Sequence, residues 1–203
     1  MPELLVATTN PGKLREYQEI FAGLPFHLTT LTEQGIDLEV EETGATFTDN
    51  ALLKAHAYAQ TSGLLTLADD SGLEIDALGG EPGVHSARWP TPATSYAERF
   101  KIIFARLAGL PPEQRGARFR CVIALARPDG WATTVEGVVE GRIADAPRGT
   151  HGFGYDPIFL YPELGRTTAE LPPEEKHRIS HRGRAARAAR EVLVRLIEGN
   201  QYQ

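Results

Sequence analysis

The sequence predicts an α/β protein with a mixed β-sheet, on the basis of two observations. Short apolar segments typical of buried strands alternate along the chain with longer amphipathic segments typical of helices. Two further strand-like segments, 117–127 and 131–144, are separated by Pro-Asp-Gly, which predicts an antiparallel hairpin within the sheet. We expect a single domain over residues 1–203, since no internal repeat and no long linker divides the chain.

The first half of the chain contains two strand–helix units and one more strand. Residues 4–8 predict a buried strand, and Asn10 follows as the cap of a helix. Residues 26–31 predict a second strand, and residues 46–62 a helix that ends at a glycine. Residues 64–69 predict a third strand, which delivers a pair of acidic residues at its carboxyl end.

The second half adds two helices around the hairpin. Residues 95–109 predict a helix that opens with a Ser-x-x-Glu capping box and ends at a glycine. Residues 149–162 are rich first in glycine and then in aromatic residues, which predicts a mobile loop that leads into a strand. The last predicted helix is capped by Ser180 and packs through apolar residues at 192–197.

Composition indicates an ordinary globular protein of a reducing compartment. Apolar residues make up 41% of the chain and charged residues 24%. No apolar run is long enough to cross a bilayer, and the first residues lack the basic region of a signal peptide. Cys121 is the single cysteine, and its alternating apolar surroundings predict a core residue. We therefore expect a cytoplasmic protein with no membrane partner.

The net charge of −6 conceals an uneven distribution of charge. Eight acids and no lysine or arginine lie between Arg15 and Lys54, whereas residues 176–190 carry six basic residues and no acid. Such an arrangement suits an anionic ligand that carries a metal ion, although two solvated helix faces would give the same counts. The acidic total argues against a nucleic-acid binder, the alternative that the arginine-rich segment raises.

Residues 8–13, Thr-Thr-Asn-Pro-Gly-Lys, form a candidate phosphate-binding loop. A strand followed by a short polar loop and a helix presents backbone N–H groups that bind phosphate. Threonine and asparagine side chains add donors, and Lys13 supplies a cation one turn into the helix. The spacing of a P-loop is absent, and a capped helix without a ligand is the structural alternative.

Adjacent carboxylates suggest a site for a hard divalent cation. Asp69 and Asp70 at a strand end face opposite sides of the pleat, so one of them points into any given cleft. Glu41 and Glu42 offer a second source of oxygen ligands. Mg²⁺ typically takes one or two protein carboxylates and completes its shell with water and substrate phosphates. Solvated acids on a turn are the alternative interpretation.

Two further segments are candidates for recognition of a flat heterocycle. Phe153 and Tyr155 stand two residues apart between glycines, so both rings project to one face if the backbone is extended. Such a pair can stack on a base, and two core aromatics would give the same pattern. His181 and Arg182 lie at the amino end of the last helix, where they are either ligand contacts or part of a capped surface helix.

Five motifs, in this order, closely resemble the inosine triphosphate pyrophosphatase family. They are TTNPGK at 8–13, EETGATFTDNALLKA at 41–55, ADDSGLEIDALGGEPGVHSARW at 68–89, GFGYDPIF at 152–159 and SHRGRA at 180–185. The resemblance runs from about residue 4 to about residue 196 and implies an elongated mixed sheet with flanking helices and two lobes around a deep cleft. It also implies a homodimer, one or more Mg²⁺ ions per subunit, and hydrolysis of ITP, dITP or XTP to the monophosphate and pyrophosphate.

The resemblance also implies the roles of individual residues. Asp70 would be the catalytic and metal-associated acid, acting as a base or mainly as a ligand, and Glu41 the second metal ligand, with Glu42 as the alternative. The expected substrate-binding residues are Thr8, Thr9, Asn10, Pro11, Gly12, Lys13, Lys54, Ser71 and Lys176 on the phosphate side, and Phe153, Gly154, Tyr155, Asp156, His181 and Arg182 around the base.

Selectivity for the base would come from hydrogen-bond donors aimed at its 6-position. Hypoxanthine and xanthine carry a 6-keto acceptor, whereas adenine carries an amino donor, so unpaired donors would penalise ATP. We expect His181 or Arg182 and the backbone near residues 152–156 to supply these donors. Two alternatives remain open, namely a pyrophosphatase for another modified nucleotide and a nucleotide-binding module without turnover.

Overall fold

A computed structural model describes residues 1–199 of the chain. The strands of this part form one seven-stranded sheet of order β2-β1-β3-β4-β5-β6-β7. Their bounds are β1 Glu3–Val6, β2 His27–Thr30, β3 Leu65–Ile75, β4 Gly116–Ala126, β5 Ala132–Ile143, β6 Phe159–Tyr161 and β7 Arg166–Thr167. The strand β1 runs parallel to both β2 and β3, whereas β6 is antiparallel to β5 and to β7. The expected mixed sheet is thereby confirmed.

Five α-helices lie among the strands of the described residues. Their bounds are α1 Pro11–Ile20, α2 Phe47–Ser62, α3 Tyr96–Arg106, α4 Pro173–Ile179 and α5 His181–Glu198. The predicted caps of α1 and α3 are present, since the Asn10 side chain accepts from two N–H groups of α1 and α3 begins with the capping box at Ser95. The helix α2 also begins with a capping box, at Thr46. The helix α2 ends at Gly63, whose φ of 71° is the left-handed conformation that favours glycine.

The structure differs from the sequence prediction in two elements. The strand β3 does not stop at Asp70 but continues to Ile75, because Leu73 and Ile75 alternate with more polar residues and are fully buried. A separate short helix, α4, precedes Ser180, whereas the sequence predicts only the helix that Ser180 caps. Periodicity over seven residues is too short to predict such a helix.

The chain divides into two compact units. Unit 1 comprises Met1–Asp70, Cys121–Gly137 and the segment from Arg182 onward, and unit 2 comprises Ser71–Arg120 and Val138–His181. The strands β3, β4 and β5 each contribute residues to both units. The hairpin predicted between β4 and β5 is confirmed, since the Arg127 N–H donates to the carbonyl of Trp131 across the turn.

Each unit has its own apolar core. The core of unit 1 is built from β1, β3, β4, α1 and α5, with Leu4, Tyr17 and Leu193 fully buried. The core of unit 2 is built around α3 and the strands β3 to β6, with Ile103 and Phe159 fully buried. Within residues 1–199, no helix is long and apolar enough to cross a membrane.

Candidate active site

In unit 1, the predicted phosphate-binding loop is closed by its own cap. The Asn10 Oδ1 atom accepts from the N–H groups of Gly12 at 2.9 Å and Lys13 at 3.1 Å, and the Asn10 N–H donates to Thr8 Oγ1. Thr9 and Pro11 are exposed. A phosphate at this loop would therefore share or replace the bonds of the cap, because the N–H groups of Asn10, Gly12 and Lys13 already donate to side chains of the loop.

Asp69 ties this loop to β3. The Lys13 Nζ atom lies 2.8 Å from the Asp69 Oδ2 atom, and this carboxylate is almost completely buried. Burial by itself would raise the pKa of the Asp69 carboxyl, but the charges of Lys13 and then Arg182 outweigh it and hold this pKa well below its ordinary value. Asp69 is thus ionised at neutral pH and pairs with the Lys13 ammonium, a role that sequence reasoning did not assign.

Asp70 points to the other side of the strand and has different neighbours. Its Oδ2 atom accepts from the Asn50 Nδ2 atom at 3.0 Å, and its Oδ1 atom lies 4.0 Å from the Lys54 Nζ atom. Burial raises the pKa of Asp70 to about 6; the charge of Lys54 opposes this rise, and the charge of Glu42 adds to it. A carboxylate with such a pKa is well matched to accept a proton near neutral pH.

The structure brings Glu42, rather than Glu41, to this cluster. The Glu42 Oε1 atom lies 2.5 Å from the Lys54 Nζ atom, whereas the side chain of Glu41 is exposed. Both glutamates lie in the segment between β2 and α2, which has no regular secondary structure. Of the two alternatives that the sequence left open, the geometry therefore favours Glu42 as the partner of Asp70.

The carboxylates of Glu42 and Asp70 fit a hard divalent cation such as Mg²⁺. Both supply the oxygen donors that Mg²⁺ prefers, and both lie near one ammonium, that of Lys54. Among the described residues, no group of three or more histidine, cysteine and acidic side chains is arranged to hold a metal. Two protein carboxylates suit Mg²⁺, because it usually keeps several waters and takes its other ligands from substrate phosphates.

Asn50 is a residue of this site that the sequence analysis missed. It is fully buried on α2, donates to Asp70, and accepts from the Gly44 N–H at 2.8 Å through its Oδ1 atom. Gly44 leaves no room for a side chain, since a Cβ there would collide with Asn50. Asn50 thereby fixes the segment that carries Glu42 relative to Asp70. A polar residue at a buried position of a predicted helix was the available signal.

In unit 2, the candidate base-binding segment is organised by Asp156. The Asp156 Oδ2 atom accepts from the Phe153 N–H at 2.8 Å and from the Lys176 Nζ atom at 2.7 Å. The Lys176 ammonium also lies 5.0 Å from the centre of the Phe153 ring, a cation–π contact. Gly152 has a φ of 75°, and a Cβ there would collide with the Asp156 carboxylate. Gly154 is half-buried.

The two aromatic residues of this segment do not form the stacking pair that the sequence predicted. Phe153 is partly exposed, whereas Tyr155 is 4% exposed within the core of unit 2 and donates its hydroxyl to the Ser86 carbonyl at 3.0 Å. The ring of Tyr155 packs edge-on against Tyr96. The backbone turns between the two rings and enters a 3-10 helix at Asp156–Ile158, so they do not share one face of an extended strand.

His181 and Arg182 are buried and engaged with protein groups, and their expected contact with the base stays a prediction. The His181 ring stacks on Phe119 in unit 2, with 4.6 Å between the ring centres. In unit 1, the Arg182 Nη1 atom lies 2.5 Å from the Glu16 Oε2 atom, and both side chains are buried. The place of Arg182 near a helix start in the sequence could not reveal this ion pair, because Glu16 lies 166 residues away in the chain.

The remaining predicted residues have simple environments. Ser71 is half-buried on β3, directly after Asp70. Lys176 belongs to unit 2, where it lies beside Asp156, whereas Lys13 and Lys54 belong to unit 1. Cys121 is a core residue as predicted, and burial raises the pKa of its thiol to about 12.

Comparisons with known proteins agree with the resemblance that the motifs carry. Residues 4–192 match the model of the Ham1 family. The chain is 53% identical over 190 residues to a dITP/XTP pyrophosphatase of Thermus thermophilus, which covers 94% of this chain and 91% of that protein. It is 49% identical over 199 residues to a dITP/XTP pyrophosphatase of Methylococcus capsulatus, with 97% and 98% covered.

Solved structures show the same fold. A HAM1 protein from Coxiella burnetii superimposes with a TM-score of 0.88 at 44% identity, covering 96% of this chain and 99% of the other. A nucleoside-triphosphatase / dITP/XTP pyrophosphatase from Mycobacterium abscessus gives a TM-score of 0.75 at 46% identity, with 92% and 97% covered. The family model matches residues 4–192, and the solved structures cover nearly all of this chain. This chain therefore belongs to the Ham1 family.

Proposed function

We propose that this protein is a dITP/XTP pyrophosphatase that hydrolyses ITP, dITP and XTP to the monophosphate and pyrophosphate. The observation that carries the proposal is the cluster of Asp70, Glu42, Asn50 and Lys54, in which a buried carboxylate with a raised pKa lies beside a cation and a second acid. The two curated relatives described above are about half identical to this chain, and both are called dITP/XTP pyrophosphatases.

In unit 1, the residues of this cluster would act on the triphosphate. Lys13 and Lys54 would offset the negative charge of the phosphates, and Asn10 would donate from its amide. Glu42 and Asp70 would hold Mg²⁺, one or more ions per subunit, which when bound supplies Lewis-acid stabilisation of phosphate charge. Asp70 would orient the attacking water or accept its proton as the new bond to the α-phosphorus forms. Pyrophosphate leaves as the bond from the α-phosphorus to the bridging oxygen breaks.

In unit 2, residues 152–156 and Lys176 would recognise the base. Phe153 offers a partly exposed ring for stacking, which adds affinity for every purine. The Lys176 ammonium, held by Asp156 beside that ring, is the side-chain donor we assign to the 6-keto group in place of Arg182. Rejection of guanine would depend on its 2-amino group, where xanthine offers an acceptor.

A panel of nucleoside triphosphates with Mg²⁺ tests the proposal. We expect release of pyrophosphate rather than orthophosphate, with kcat/KM for ITP, dITP and XTP at least about a hundredfold above that for ATP, since each unpaired buried donor costs about 1–3 kcal/mol. Selective binding without turnover would indicate a nucleotide-binding module, and preference for a modified pyrimidine would indicate another pyrophosphatase. The homodimer and the cytoplasmic location rest on the family resemblance and on composition, and light scattering on the purified protein tests the former.

A further inference from the structure

Lys54 is paired with the same two carboxylates that the proposed function assigns to the metal. Its Nζ atom lies 2.5 Å from Glu42 Oε1 and 4.0 Å from Asp70 Oδ1, and its side chain is 14% exposed. The Lys54 ammonium thus lies within ion-pair distance of both carboxylates.

The two acids, of which Asp70 is buried and Glu42 partly exposed, need such a charge when no metal is bound. Two carboxylates close together in a poorly solvated position repel each other, and an ammonium between them removes most of that repulsion. Lys54 is well placed for this role, because it projects from α2, one turn after Asn50, which itself holds Asp70. A divalent cation on the same oxygens would repel Lys54 and compete with it for Glu42.

We propose that Lys54 is an internal counter-cation, which neutralises Glu42 and Asp70 in the metal-free protein and passes to a substrate phosphate when a divalent cation takes these carboxylates. This inference rests on the proposed function. The inference goes beyond the proposed function in one respect: metal and triphosphate should bind with positive coupling. The reason is that the triphosphate offers Lys54 a new partner when the metal displaces Lys54 from the carboxylates.

The chain offers a matched control in Lys13. This second lysine is paired at 2.8 Å with Asp69, the neighbouring acid, whose carboxylate points to the other side of β3 from Asp70. Lys13 and Lys54 have similar exposure and both belong to the proposed phosphate-binding set. Replacement of either lysine removes one positive charge, but only Lys54 is paired with the proposed metal ligands.

The test is a titration with Mn²⁺ alone, without nucleotide, followed by electron paramagnetic resonance or calorimetry. We expect Lys54→Met to bind Mn²⁺ at least about fivefold more tightly than the unmodified protein, the size of one charge–charge interaction at 4 Å even in water. Lys13→Met should change the affinity less than about twofold, because Lys13 is paired with Asp69 and acts on Asp70 less strongly than Lys54 does. The rise in Tm on addition of Mn²⁺ should also be larger in Lys54→Met than in the unmodified protein.

Equal or weaker binding of Mn²⁺ by Lys54→Met would overturn the inference, as would equal tightening in Lys13→Met. If Lys54→Met does not fold in the absence of metal, Lys54→Gln gives the same comparison with a side chain that can still hydrogen-bond to Glu42. The nucleotide panel separates the two proposals. Normal pyrophosphate release by the unmodified protein, together with unchanged Mn²⁺ affinity in Lys54→Met, rejects the counter-cation alone, whereas absence of hydrolysis in the unmodified protein rejects the proposed function.

Discussion

Asp69 and Asp70 are adjacent in sequence, yet the structure shifts the pKa values of their carboxyls in opposite directions. Both are buried, which by itself raises the pKa of an acid. Asp69 lies against Lys13 and close to Arg182, so that its ionised form prevails, whereas Asp70 has a more distant lysine and a nearby glutamate. The alternation of side chains along β3 places the two residues in these different surroundings.

Asp70→Asn is expected to reduce turnover of ITP by about a hundredfold or more, the scale of losing a general base or a metal ligand. Asp69→Asn should reduce turnover less, because Asp69 acts on the phosphates only through Lys13. Steady-state kinetics on both variants, with circular dichroism as a control for folding, measure this. A reversal of the order would assign the catalytic role to Asp69.

The same pair predicts opposite effects on the stability of the metal-free protein. The pKa of Asp70 is about 6 in the folded protein, against 3.8 for an ordinary aspartate such as that of the unfolded chain. The favourable contribution of Asp70 to the free energy of unfolding is therefore complete below pH 4 and is lost as the pH rises through 6. A shift of this size corresponds to at most about 3 kcal/mol. Asp70→Asn should therefore stabilise the protein in EDTA, increasingly from pH 5 to pH 7 and uniformly above.

For Asp69 the sign is reversed. Its folded pKa is depressed, so its contribution is present above pH 4, and Asp69→Asn should destabilise the protein throughout pH 5–8 by about 3–5 kcal/mol, as for a broken buried pair. Urea unfolding of both variants across this range provides the measurement. A stability difference for Asp70→Asn that does not vary with pH would show that its carboxyl is not protonated near pH 6.

At the scale of elements, the segment 152–156 combines one partly exposed ring and one core ring. Tyr155→Phe removes the hydroxyl that donates to Ser86, whose carbonyl also accepts from Arg99 at 2.8 Å. We expect a loss of about 1 kcal/mol in stability, the net value of one hydrogen bond. The ratio of kcat/KM for ITP and ATP should stay unchanged, because the Tyr155 ring is buried in the core of unit 2 and only the backbone of this residue is available to the base.

Phe153→Ala is the matched variant within this element. It should weaken the binding of ITP and ATP alike, since stacking on a ring does not distinguish purines, and it should leave the Tm nearly unchanged. Thermal unfolding and kinetics with both nucleotides measure these effects. Loss of selectivity in Tyr155→Phe would return Tyr155 to the base-binding set.

At the scale of the whole molecule, the uneven charge of the sequence resolves into pairs with specific partners. Two of the basic residues at 176–190 lie in buried pairs, Lys176 with Asp156 and Arg182 with Glu16, whereas Arg184 and Arg187 are exposed. The acidic side contributes Glu42 to the Asp70 cluster. The basic segment at 176–190 is thus only partly a solvated helix face, since some of its charges are buried in ion pairs.

Removal of metal tests the function of the molecule as a whole. Because the donors near Asp70 are carboxylate oxygens, excess EDTA should abolish hydrolysis of ITP, and Mg²⁺ or Mn²⁺ should restore it. Pyrophosphate release before and after chelation measures this. Undiminished hydrolysis in excess EDTA would contradict the assignment of Glu42 and Asp70 to a metal.

The sequence by itself determined the elements whose causes are local. Asn10 and Ser95 cap their helices and Gly63 ends α2, all as predicted, because caps depend on a few consecutive residues. The hairpin of β4 and β5 and the motifs that place the chain in its family are likewise local patterns. These suffice for the fold class and for most of the candidate residues.

The tertiary structure decided which of these residues meet. Glu42 rather than Glu41 approaches Lys54, Asn50 joins Asp70 to Gly44, and Arg182 is paired with Glu16 at a separation of 166 residues. These contacts join groups 6 to 166 residues apart in the chain, and each forms because a charge or amide removed from water must find a partner. Sequence patterns record the residue types but not these pairings, since the partner is chosen by the packing of the fold.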